Sequence, residues 1–146
     1  MAKFRYRMQN ILNIKMKLEA QAEIAYSTAN AAYMEEQRKL QNLLVRRTGY
    51  ERKLKELMDG EIDVQKVNHA REDVNTMKTI VRRQMMEVHK AEKKLESARR
   101  ELSQVMMERK TQEKLREKAF DHFKRELATA ENKEIDELVS YTFNGK

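Results

Sequence analysis

From Val67 to Val105 the chain repeats one spacing without a missed step. Val67, Ala70, Val74, Met77, Val81, Gln84, Val88, Ala91, Leu95, Ala98, Leu102 and Val105 follow one another at intervals of three and four. This heptad pattern lays a narrow, mostly apolar stripe along one side of an α-helix and needs a second helix to cover it. The rest of the chain offers only helix for that role. It has no proline and three glycines, and its 38% of charged residues break the apolar ones into isolated positions. No run is left to build a sheet or a wide core.

A matching stripe precedes the first. Phe4, Met8, Ile11, Lys15, Leu18, Ala22, Ala25 and Ala29 keep the spacing, with Lys15 as the polar intruder. A second step of four then leads to Tyr33, a stutter that locally relaxes a supercoil. Heptads resume through Glu36, Leu40, Leu43, Arg47, Tyr50, Leu54 and Leu57. Between the stripes Met58-Asp59-Gly60-Glu61 supplies the reversal, since Asp tolerates turn geometry and Gly takes positive φ. Gly49 stays inside the pattern, where a long helix carries a lone glycine at a cost of ~1 kcal/mol.

Folding about Gly60 pairs positions whose numbers sum to about 120, and the two independently read stripes then coincide. Leu43 faces Met77, Ala29 faces Ala91, Leu18 faces Leu102, and the polar Glu36 falls opposite Gln84. The fold expected is all-α: a two-helix antiparallel coiled-coil hairpin forming a single domain over 1–146. Helix one runs from about 4 to 58, the turn from 59 to 61, the longer helix two from about 62 to 138, and a frayed tail over 139–146. Layers around Ala22, Ala25, Ala29, Ala91 and Ala98 should bury little side-chain area.

The same register makes the open end polar, with Ile11 opposite Arg109 and Met8 opposite Gln112, and leaves helix two unfaced beyond Arg116. That overhang still carries Phe120, Phe123, Leu127, Ala130, Ile135 and Leu138. Each Phe offers ~150–250 Å² of mostly apolar surface, so something should cover the stripe. Either the end folds back or pairs with a second copy, or it enters a partner's groove or pore. Lys3, Arg5 and Arg7 lie at the same end.

The net charge of +7 raises nucleic acid and acidic membranes as partners. Acidic and basic residues are interspersed beyond Glu19, however, so only the first eighteen residues form a basic stretch, and beyond them the continuous basic run that a zipper-type DNA reader needs beside its dimer stripe is not present. A basic tether to nucleic acid or membrane is therefore the lesser alternative. Absent cysteine removes thiol and disulfide chemistry and fits a cytoplasmic protein. The isolated glycines form no phosphate loop. His69, His89 and His122 are too far apart along two helices to converge on a metal. Neither an enzyme nor a cofactor-binding protein is expected.

The two ends carry a resemblance. The opening KFRYRMQNILNIK, with its aromatic-Arg pair, and the closing ENKEIDELVSY, with Lys133, Ile135, Asp136 and Glu137, resemble the corresponding segments of the FliJ family of flagellar type III export. The resemblance implies a cytoplasmic protein, peripheral at the inner membrane at the flagellar base. It implies a central stalk that binds and activates the hexameric flagellar export ATPase, contacts the cytoplasmic domain of the export gate and escorts export chaperones. The ATPase contacts it suggests are Phe4, Arg5, Phe120, Phe123, Asp136 and Glu137. Leu43, Tyr50 and Met77 match the gate-binding half, though as stripe residues they serve equally as core. The stalk of an injectisome or a rotary ATPase is the nearest alternative.

Overall fold

Gly60 reverses the chain, with φ at +81°, a value open to glycine because it has no Cβ. The computed structural model describes residues 3–144. Helix α1 (Gln9–Leu57) and the longer α2 (Val64–Asn144) form an antiparallel coiled-coil hairpin on either side of that turn. Asp63 starts α2: its Oδ1 accepts the amides of Gln65 and Lys66 at 3.1 and 3.4 Å, which would otherwise lack partners in the first turn.

Boundaries depart from the sequence expectation at both chain ends. Helix α1 begins at Gln9 and not near residue 4, because Phe4 and Tyr6 leave the helical path to reach side chains of α2. Helix α2 runs through Asn144 and takes in most of the stretch expected to fray, which holds neither proline nor glycine before Gly145. Residues 145–146 of that stretch lie outside the described residues.

Contacts group the chain into two compact units, each built from both helices. The hairpin unit is Ala22–Glu101. The terminal unit joins the stretch up to Gln21 with the stretch from Leu102.

In the hairpin unit every stripe position from Val67 to Ala98 is buried or half-buried, and Val81 is 2% exposed. The polar layer forms as registered: Gln84 Nε2 donates to Glu36 Oε2 at 2.6 Å and to the Glu36 carbonyl at 2.9 Å. On α1 the expected stutter is absent. Ala22, Tyr26, Ala29, Tyr33, Glu36, Leu40, Leu43 and Arg47 face inward in unbroken heptads, whereas Ala25 is exposed. Turning Tyr26 inward buries a ring where Ala25 would bury a methyl group, so this layer is thicker than expected.

In the terminal unit Leu12 and Val105 are the buried side chains, at 4% and 5% exposure. The stripe expected through Ile11 and Leu18 is rotated by one residue. Leu12, Lys15 and Glu19 face α2, while Ile11 and Leu18 are exposed.

Candidate docking surface on the terminal unit

Placing a glutamate on the stripe requires a partner, and Arg109 supplies one. Its Nε and Nη2 meet Glu19 Oε2 and Oε1 at 2.5 and 3.1 Å, and its Nη1 meets Glu113 at 2.8 Å. The hydrogen bonds from Arg109 hold the Glu19 carboxyl below its ordinary value. Lys15 joins Glu108 at 2.8 Å, and that bond, with one from Gln104, lowers the Glu108 carboxyl in the same way. Nearer the chain start, Arg116 Nε donates to Gln9 at 2.9 Å and the Tyr6 hydroxyl donates to Gln112 at 3.1 Å.

Beyond these pairs the chain turns extended. Residues 3–6 lie outside helix and alternate in the manner of a strand: Phe4 and Tyr6 are half-buried, whereas Lys3, Arg5 and Arg7 are exposed. The Phe4 ring meets Phe120 edge-on at 5.0 Å between centroids and Phe123 at 5.6 Å, with the Arg116 guanidinium 5.7 Å from its centre. Lys124 Nζ lies 4.5 Å from the centre of Phe120. Such aromatic and cation–π contacts each contribute about 0.5–1.5 kcal/mol.

This overturns the expectation that the overhang is bare from Arg116 onward. Phe4 half-buries Phe123 and leaves Phe120 37% exposed. Heptad reasoning continued α1 through Phe4 and so could not place its ring on Phe123. The uncovered stretch starts later, and every residue from Lys124 to Phe143 is exposed. Its apolar side chains include Leu127, Ile135, Leu138, Val139, Tyr141 at 79% and Phe143 at 83%. It carries five acids, Glu126, Glu131, Glu134, Asp136 and Glu137, against three bases, Lys124, Arg125 and Lys133.

The residues singled out in the sequence thus fall into three places. Phe4, Phe120 and Phe123 form one cluster with Arg5 exposed beside it, while Asp136 and Glu137 stand ~20 Å farther along α2 at 1.5 Å per residue. In the hairpin unit Met77 is core at 6% exposure, Leu43 is half-buried, and Tyr50 is exposed. Tyr6, Leu12, Glu19, Arg116 and Tyr141 escaped the sequence reading. The heptad counted backward from Tyr33 through Tyr26 and Ala22 would have found Glu19 and Leu12.

His69 and His122 each stand one turn before a carboxylate, Asp73 at 3.9 Å and Glu126 at 3.4 Å. Among the described residues no group of three or more acidic or histidine side chains could hold a metal ion, and no helix is long and apolar enough to cross a membrane.

Two paired helices, with an aromatic cluster at Phe4, Phe120 and Phe123 and a fully exposed arm from Lys124 to Phe143, define a class: a coiled-coil protein that presents surfaces. The model of the flagellar FliJ protein family matches residues 4–146, and the chain belongs to that family. Membership makes it a coiled-coil protein of flagellar, type III export, in a family of structural components. Its fold is shared with a solved protein of Chlamydia trachomatis described as a YscO homologue, with a TM-score of 0.76 and 22% identity over 97% of this chain and 96% of that one. No curated protein matches the chain in sequence.

Proposed function

We propose that the chain is the non-catalytic central stalk of the flagellar export ATPase, a cytoplasmic protein that binds the hexameric ring and raises its turnover. One observation carries the reading. Helix α2 continues from Lys124 to Phe143 with every residue exposed, and its apolar side chains include an almost fully exposed Tyr141 and Phe143. A helical face of this kind matches a groove or pore in a larger partner. Contacts on the ring would come from Phe120 and Phe123, which Phe4 covers in the free chain, from Arg5 beside them, and from Asp136 and Glu137 on the exposed arm. The exposed Tyr50 and the outer edge of Leu43 would contact the export gate, with Met77 supporting them from the core. Export chaperones would be escorted by the same chain at the cytoplasmic face of the inner membrane.

The test is direct. The purified chain is expected to co-purify with a hexameric flagellar export ATPase and to raise its ATP turnover. The double change Leu138→Asp and Tyr141→Asp should abolish both effects without altering helicity by circular dichroism. An ATPase indifferent to the wild-type chain would end the stalk reading.

A further inference from the structure

We propose that residues 3–8 form a displaceable strap: in the free chain it sits on Phe120 and Phe123, and when an acidic partner surface takes that place it rewinds as the first turn of α1.

The helix start at Gln9 has no capping residue to fix it there. Residue 8, just before it, is a methionine, which caps nothing, and the first turn holds no acidic residue. The start of α2 is different, because Asp63 binds two of its free amides. Neither proline nor glycine stands between Lys3 and Gln9, and Phe4, Met8 and Ile11 keep helical spacing. What holds residues 3–6 out of helix is their contact with α2, Phe4 on Phe120, Phe123 and Arg116 and Tyr6 on Gln112, added to the charge of Lys3, Arg5 and Arg7. The Tyr6 carbonyl meanwhile accepts the Gln9 amide at 3.1 Å.

Charge sets the direction of the switch. Winding residues 3–8 into α1 would gather Lys3, Arg5 and Arg7 at a helix N-terminus, where the helix dipole disfavours cations. None of the three forms an ion pair among the described residues. An acidic partner would neutralise them and remove that penalty. Its apolar contacts with Phe120 and Phe123 would replace those of Phe4. The strap is then an intramolecular competitor, and the apparent affinity of the partner is lowered by the fraction of chains in which it is closed.

This regulatory role rests on the docking role proposed for Phe120 and Phe123, and it gives Phe4 the opposite sign from a contact residue. The experiment has two arms, both on the full chain. In the first, NMR follows the Cα shifts of residues 5–8 in Phe4→Ala, which should move toward helical values. Because the chain has no tryptophan, Phe4→Trp adds a single reporter, whose emission should shift to the red when Phe123→Ala removes its seat. Cα shifts that stay non-helical, or emission that ignores Phe123→Ala, overturn the strap. In the second arm, Phe4→Ala should bind the export ATPase roughly threefold to tenfold more tightly than wild type. Equal or weaker binding overturns the regulatory role. An ATPase that ignores wild type and variant alike refutes the stalk reading and the strap's regulatory role with it, while the first arm still decides the strap itself.

Discussion

The two units of the hairpin are closed by different physics. The hairpin unit relies on apolar layers: Val67, Ala70, Val74, Met77, Val81, Ala91 and Leu95 are all buried, and the Glu36–Gln84 layer and the inward-facing Arg47 interrupt them. The terminal unit buries two apolar side chains, adds the Phe4 ring on Phe120 and Phe123, and is otherwise tied by Glu19 to Arg109, Lys15 to Glu108, Gln9 to Arg116 and Tyr6 to Gln112. Apolar burial is non-directional and does not depend on ionisation, whereas ion pairs need geometry and ionisation and are screened by salt. The same heptad arithmetic therefore yields a stability element in one unit and an adjustable one in the other.

The contrast can be broken most forcefully in the apolar layers. Leu95→Ala should cost about 2–4 kcal/mol in denaturant unfolding. A loss below about 1 kcal/mol would mean that the hairpin unit does not depend on its stripe. At the turn, Gly60→Ala meets no steric obstacle and adds only left-handed backbone strain, so a loss of about 1–2 kcal/mol is expected in the same measurement.

Acid should act selectively on the terminal unit. Glu19 and Glu108 have carboxyls lowered by Arg109 and Lys15, so the stability they contribute is present above the ordinary unfolded value of about 4.3. It is lost as pH falls through their lowered values. Protection of the amides around Leu12 and Val105, taken relative to their intrinsic exchange at each pH, is expected to fall below about pH 4 before that around Val74 and Val81 does. Simultaneous loss of protection in both units would erase the distinction. The smallest effect concerns Gly49, which lies in regular helix with open space at its Cβ position. Gly49→Ala should raise stability by up to about 1 kcal/mol, seen as a modest rise in midpoint.

How much the sequence revealed follows the same division. The α2 stripe, the reversal at Gly60 and the Glu36–Gln84 layer were legible, because apolar periodicity and turn chemistry are local. Leu18 looked the better stripe residue than Glu19, since the preference for Glu19 comes from a guanidinium far along the chain. Tyr26 lost to Ala25 for a related reason: one tolerated stutter made a stripe of small residues look continuous. Phe4 satisfied the helical spacing and yet left the helix, because its ring gains more on Phe120 and Phe123 than α1 gains from another turn. The sequence places the uncovered stripe from Phe120 and the frayed tail from 139, whereas the fully exposed arm begins at Lys124 and stays helical through Asn144.

Among the described residues that arm has no tertiary neighbour to keep it wound. A peptide of its length would be only marginally helical in water, because forming the first turn is the costly step. Here the nucleus is already present in the paired part of α2, and each further residue merely anneals onto it. A binding groove would thus receive a preformed ridge and would not bear the entropy of ordering one.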